Sequence, residues 1–295
     1  MNDAEFPVAG SHRTRCAAED RLYGGPLGGG TKGFMRNSWL GLNGRTALIT
    51  GGARGIGHAI ARRFLEAGSQ IIVIDRNRET AEIVKSLRAE IADPPNAWSF
   101  VADVRDRTAL DRIRDWLIAE DIPLDIVIPN AGVNTRLPAL DVPADTVREI
   151  VETNLVGVIS TLQVFVPLIM GRGEARVVIT SSAIAVYGMV LRAPYTATKA
   201  GLSGLVRSLA VEWGPNGVTV NAVGPGVIRT PLTEAYMEQF PEKTRAAVTN
   251  SPLRRIGTPE EVADVVVFLA SRASRFITGQ TIYVDGGLSA GGDWW

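Results

Sequence analysis

The chain has 295 residues, 45% hydrophobic and 21% charged, and its 31 basic and 31 acidic side chains leave a formal net charge of zero. That length suits one large α/β unit with an extensive core, and the evenly spread charge leaves no basic face or tail for nucleic acid. A lone cysteine, Cys16, an N-terminal stretch carrying Asp3, Glu5, Glu19 and Asp20, and the lack of ~18 consecutive apolar residues lead us to expect a cytoplasmic protein with no membrane partner.

Residues 1–40 contain Gly24-Gly25-Pro26 and Gly28-Gly29-Gly30, few aliphatic residues and no periodicity. They read as a flexible N-terminal extension ahead of one domain spanning 41–295. From Gly44 onward, short apolar runs alternate with amphipathic segments. The runs are Thr46–Ile49, Gln70–Ile74, Trp98–Val101, Asp125–Ile128, Arg176–Thr180, Val218–Val223 and Thr281–Val284. Continuous β-branched runs of this kind suit strands buried on both faces of a parallel sheet. Between them, His58–Ala67 places Ile60 and Phe64 on one helical face, and Ala263–Ser271 does the same with Val266 and Leu269. The expected fold class is therefore α/β, a doubly wound parallel sheet with helices on both faces and ligands at its carboxyl edge.

The first strand leads into Thr50-Gly51-Gly52-Ala53-Arg54-Gly55-Ile56-Gly57, and a helix follows. Glycine at 51, 55 and 57 permits a tight turn and close approach of backbone to a pyrophosphate, which the helix N-terminus attracts. Asp75 ends the second strand, eighteen residues after Gly57. A carboxylate there accepts the ribose hydroxyls of NAD. It repels a 2′-phosphate about 4 Å away by about 4 kcal/mol per charge pair at an effective dielectric near 20. Arg54 and Arg76 pull the other way, so NAD is expected and NADP is the less favoured cofactor. Lysine occurs only at 32, 85, 199 and 243, and of the five tyrosines only Tyr195 has a lysine four residues later. That i, i+4 spacing puts Tyr195 and Lys199 on one helical face. With His12 and His58 the only histidines, neither a histidine triad nor a zinc cluster can be assembled.

Thr50–Gly57, Asn130-Ala131-Gly132, Asn154, Ser182, Tyr195 and Lys199, in this order and spacing, resemble the short-chain dehydrogenase/reductase family over about residues 44–288. Asp103-Val104, Pro225-Gly226 with Thr230, and Tyr283-Val284-Asp285-Gly286-Gly287 extend the likeness; Pro129 departs from it slightly. The resemblance implies a Rossmann-type oxidoreductase that uses Tyr195 as acid/base, Lys199 to lower the phenol pKa and hold the nicotinamide ribose, and Ser182 to bind the substrate oxygen. Asn154 is implied to hold a water that relays protons to Lys199; the alternative is a helix bend or a core hydrogen bond. Asp103 and Val104 are implied to flank the adenine (or Asp103 to cap a helix), Asn130 and Gly132 to line the middle of the cofactor, and Ile228 and Thr230 to reach the nicotinamide amide. Ser181 competes with Ser182, and the spacing favours Ser182.

The expected substrate is a small alcohol or ketone (sugar, polyol, sugar acid or small cyclic alcohol), with specificity in Val133–Leu137, Val186–Arg192 and Pro231–Arg255. An NADP-dependent reductase of a hydrophobic keto substrate such as an acyl thioester or steroid is the main rival. Others are a non-catalytic dinucleotide sensor, an adenosylmethionine-binding methyltransferase and an epimerase. Trp213 is read as core or subunit contact, and Trp294–Trp295 as packing at an interface of a homotetramer or homodimer.

Overall fold

The computed structural model describes residues 39–291. The expectations for residues 1–38, including Cys16 and His12, and for Trp294–Trp295 lie outside the described residues. The strands are β1 (Thr46–Thr50), β2 (Gln70–Asp75), β3 (Ala97–Val101), β4 (Ile126–Ile128), β5 (Ala175–Thr180), β6 (Val218–Pro225) and β7 (Thr281–Val284). They pair in parallel, in the order β3-β2-β1-β4-β5-β6-β7. The helices are α1 (Gly55–Glu66), α2 (Thr80–Ala89), α3 (Arg107–Ala119), α4 (Ala144–Val151), α5 (Gly157–Phe165), α6 (Ala193–Trp213), α7 (Pro231–Gln239), α8 (Pro241–Asn250) and α9 (Pro259–Ala270).

The two-residue repeat of a strand sorts the core into two layers. Ile49, Ile71 and Val73 pack with Ile60 and Phe64 of α1 and Val266 of α9. Leu48, Ile72 and Ile74 face the other way, against Leu110 of α3, Phe165 of α5 and Val206 of α6. Each apolar run is thus covered twice, which is why it lacks the alternation of a half-exposed strand. The core also reaches a little further toward the N-terminus than expected. Leu40 and Leu42 are buried in it, and the Leu40 carbonyl accepts a hydrogen bond from the Arg272 amide at 2.9 Å.

Strand order reverses between β1 and β4, so the connections leaving their carboxyl ends diverge and open a crevice. Between α4 and α5 the helix widens into one π-turn, Glu152–Val156, closed by the Gly157 amide on the Glu152 carbonyl, five residues back. The continuous helical run Ala144–Leu168 is long and apolar enough to cross a membrane by length and composition. Val158, Leu162 and Phe165 within it pack into the core, as expected of an interior helix. Trp213, partly buried, packs on the same layer.

Phe64 is fully buried between α1 and the sheet. Phe64→Ala should lower the unfolding free energy by about 3–5 kcal/mol in a urea titration, whereas truncating the 80%-exposed Val211 should change it by under ~0.5 kcal/mol.

Candidate active site

A cleft of about 820 Å³ follows the carboxyl edge of the sheet from Asp75 to α7 and α8. It brings together Gly51, Arg54, Gly55, Ile56, Gly57, Asp75, Arg76, Asp103, Val104, Asn130, Gly132, Ser182, Tyr195, Lys199, Pro225, Gly226, Ile228 and Thr230. Asn154 is the one expected site residue that stands behind its wall, fully buried.

The phosphate end is built from backbone. α1 begins at Gly55 with no side-chain cap from Arg54, so the amides of its first turn face the cleft without a side-chain partner. A Cβ on Gly57 would lie 2.0 Å from the Gly51 carbonyl oxygen and 2.5 Å from Asn130 Nδ2, so only glycine lets the helix approach the turn this closely. Asn130 locks the turn: its Nδ2 donates to the Thr50 and Gly51 carbonyls at 3.1 and 3.0 Å, and its Oδ1 accepts from Thr180 Oγ1 at 3.1 Å. Its amide is thereby committed to joining β1, β4 and β5.

At the ribose end, Asp75 Oδ2 accepts the Ala53 amide and Oδ1 the Asn77 amide, each at 3.0 Å. Each oxygen keeps lone-pair capacity toward the cleft. Arg76 is half-exposed and pairs with Glu149 at 3.6 Å, while Arg54 is exposed. Asp103 is no helix cap: three Arg105 donors occupy its carboxylate, at 2.7–3.1 Å, and hold it below the usual range. The cap of α3 is Asp106, which takes the Ala109 amide.

At the reacting end, Pro194 opens α6, and the 21-residue helix carries Tyr195 and Lys199 one turn apart. Lys199 Nζ is buried and donates to the Thr180 carbonyl at 2.8 Å, with its nitrogen 5.7 Å from the Tyr195 ring centre. Burial depresses the ammonium to about 8. The Tyr195 phenol is pushed up by burial, opposed by a hydrogen bond with Ser182 and by the charge of Arg192. Ser181 and Ser182 both line the cleft, but the buried Ser181 Oγ donates to the Lys199 carbonyl at 3.1 Å and supports α6.

Asn154 sits in the π-turn, with its side chain engaged on both sides: Oδ1 accepts the Val133 amide and Nδ2 donates to the Val133 carbonyl, both at 2.8 Å. A further contact to Thr198 Oγ1 at 3.4 Å ties it to α6. The side chain is a brace between the loop after β4 and α6, the core hydrogen bonding that was the alternative to a relay-water role. A Cβ on Gly132 would lie 3.3 Å from Asn154 Oδ1 and 3.8 Å from Lys199 Nζ, so that glycine keeps the space between them open. Thr230, expected at the nicotinamide amide, caps α7 with its hydroxyl through a reciprocal pair with Thr233. Ile228 is buried beneath it and its carbonyl accepts from Thr233 Oγ1.

Tyr236 and Thr180 were not individually legible as site residues. Tyr236 lies under Arg136, and Thr180 acts through a carbonyl that its side chain does not advertise. The residues present fit a dinucleotide: an uncapped helix start, a glycine-only turn and a carboxylate with spare acceptor capacity.

The Lys199 shift fixes a pH signature. With the folded pKa near 8 against the ordinary 10.5, both states are charged below pH 8 and the fold carries the cost of burial. Between those values the folded protein releases its proton first, so stability rises with pH, by at most about 3 kcal/mol. Urea melts of cofactor-free protein from pH 7 to 10.5 should show the wild type gaining on Lys199→Met; parallel curves would contradict a buried ammonium.

A family model described as Enoyl-(Acyl carrier protein) reductase matches residues 51–289. The 3-oxoacyl-[acyl-carrier-protein] reductase FabG of Thermotoga maritima is 34% identical over 249 residues, covering 84% of this chain and 98% of that protein. A proposed gluconate dehydrogenase from Agrobacterium tumefaciens superposes with a TM-score of 0.81 at 31% identity, covering 85% of this chain and 98% of that one. A proposed NAD(P)-dependent gluconate 5-dehydrogenase from Beutenbergia cavernae, with NADP bound at low occupancy, superposes at 0.79 with 33% identity over 85% and 98% of the two chains. With this sheet, this cleft and these relatives, the chain belongs to the short-chain dehydrogenase/reductase family, NAD(P)-dependent oxidoreductases of alcohol and keto groups.

Proposed function

We propose that the protein interconverts a secondary alcohol and its ketone, preferring NAD(H), on a small polar substrate of the sugar, polyol, sugar-acid or cyclic-alcohol type. The observation that carries this reading is the group around Tyr195: a phenol lining the cleft with Ser182, one helical turn from a buried ammonium held on the Thr180 carbonyl. A nicotinamide bound in the cleft supplies the hydride acceptor or donor. The chain's own residues manage the proton and the charge. Tyr195 gives a proton to the substrate oxygen, or takes one from it, while Ser182 donates a hydrogen bond to the same oxygen. Lys199 supplies positive charge beside the phenol, favouring phenolate as the proton leaves. Neither a sensor nor a methyltransferase has use for this costly buried lysine.

Asp75 supports NAD, because a carboxylate at the end of β2, held by two backbone amides, can accept ribose hydroxyls and would repel a 2′-phosphate. The NADP reading draws on Arg54, which is exposed, and on Arg76, whose half-exposed pairing with Glu149 is inexpensive to break. The hydrophobic-substrate reading draws on Met189 and Val190, which are exposed beside the cleft.

Absorbance at 340 nm, with a panel of these alcohols and ketones, tests the proposal. Tyr195→Phe should lower kcat by roughly 10²–10⁴-fold while NADH still binds, and an unchanged kcat would overturn the assignment. Asp75→Ala should narrow or reverse an NAD preference of about tenfold or more in kcat/KM, and a wild type that favours NADP would refute the cofactor choice.

A further inference from the structure

The charged side chains at the substrate end of the cleft are all cations. Arg136, Arg192 and Lys243 line it, and the only carboxylates on the cleft, Asp75 and Asp103, stand at the far, nucleotide end. None of the three has an ion-pair partner among the described residues. The nearby acidic groups are committed elsewhere: Glu234 of α7 pairs with Arg229, and Asp285 accepts the Gly287 and Ser289 amides.

Arg192 immediately precedes α6, three residues before Tyr195, and spends one Nη on the Thr135 carbonyl at 3.1 Å. Arg136, on the loop after β4, lies with its guanidinium carbon 3.3 Å from the centre of the Tyr236 ring on α7. Lys243 Nζ stands 4.7 Å from the Phe240 ring and 6.0 Å from that of Tyr236. Surface arginines normally find a carboxylate or open water, but these two are half-buried beside each other, around one aromatic ring. Burial, and then repulsion from Arg136, depress Arg192 to about 10, a cost that a bound anion would relieve.

We propose that this end of the cleft is an anion subsite, and that the substrate carries a carboxylate or phosphate a few bonds from its reacting carbinol, held by Arg192 and Arg136. The proposal rests on the dehydrogenase reading and narrows it from polar alcohols in general to hydroxy and keto acids or their phosphate esters. A guanidinium presents paired N–H groups that match either oxyanion. Arg192 has donors left after serving Thr135, and its three-residue separation from Tyr195 keeps anion and carbinol within one small molecule. Arg136, stacked on Tyr236, makes the subsite continuous with α7, so an anion bound there also draws α7 onto the cleft. The rival class, a long neutral acyl or steroid chain, would leave these cations desolvated without a counter-charge.

A matched set decides it: gluconate, its neutral counterpart sorbitol, and sorbitol 6-phosphate, together with C3–C5 hydroxy acids and their neutral polyols. Binding to the full-length protein is measured by calorimetry, with and without saturating NADH. The expected result is at least one anion binding ~10-fold or more tighter than its neutral partner, with that preference weakening as salt rises. Gluconate against sorbitol 6-phosphate tells carboxylate from phosphate. Arg192→Gln and Arg136→Gln should each cut the preference by several-fold, with Arg192→Lys in between, while NADH titration shows that each variant is folded. Neutral members binding as well as every anion, no anion binding at all, or a preference that survives both glutamine variants would each overturn the subsite. Failure of the dehydrogenase reading shows elsewhere, as absent NADH binding or as turnover that persists in Tyr195→Phe.

Discussion

The structure turns on one buried charge. Lys199 carries an ammonium into a site from which water is nearly excluded, where it donates to the carbonyl of Thr180 at the last position of β5. A lone buried cation is expensive, as its depressed pKa records. The surrounding architecture keeps it where it is. Ser181 holds the Lys199 carbonyl, Thr180 is tied through its own hydroxyl to Asn130, and Asn130 is tied to the glycine turn after β1. The ends of β1, β4 and β5 and helix α6 therefore share one hydrogen-bonded chain from the ammonium to the phosphate-binding turn. The distance between the two ends of the cleft is set by backbone and buried amides, not by mobile side chains.

Asn154 completes that frame from the other side. A regular helix through 144–165 would continue the 3.6-residue rotation; the π-turn inserts an extra residue and resets which side chains face α6 and the loop after β4. The reset lets Asn154 reach both polar groups of Val133 and touch Thr198, next to Lys199. The same loop then delivers Arg136 to the substrate end. One helical irregularity thus positions a catalytic-side brace and a specificity-side arginine together.

Much of this was legible in the sequence, because parts of it are local. Strand runs such as Gln70–Asp75 are doubly buried and read as such, Asp75 falls at a strand end, and the i, i+4 placement of Tyr195 and Lys199 is a property of one helix. What was not legible depends on contacts between distant segments or on atoms that every residue has. Asp103 looked like a cap, but Arg105 claims it and Asp106 does the capping, a competition among neighbours that composition does not rank. The role of Thr180 lies in its carbonyl. The π-turn has no residue signature, since Glu152–Val156 contains neither glycine nor proline. Arg136 and Arg192 fall in two segments expected to set specificity, but nothing local shows that Tyr236 and Thr135 draw them to the same wall.

The cleft is electrically asymmetric as a result, and the asymmetry has chemical content. At the nucleotide end Asp75 and Asp103 face the cleft; at the far end stand Arg136, Arg192 and Lys243, with the phenol between them. The positive wall raises the local concentration of anions at the reacting end. Because Arg192 also opposes the upward shift of Tyr195, the residue that would recognise the substrate's charge contributes to the proton transfer as well. A bound anion would partly neutralise Arg192 and so return the phenol toward its higher, burial-dominated pKa. Substrate charge and the proton affinity of Tyr195 are therefore linked through one guanidinium.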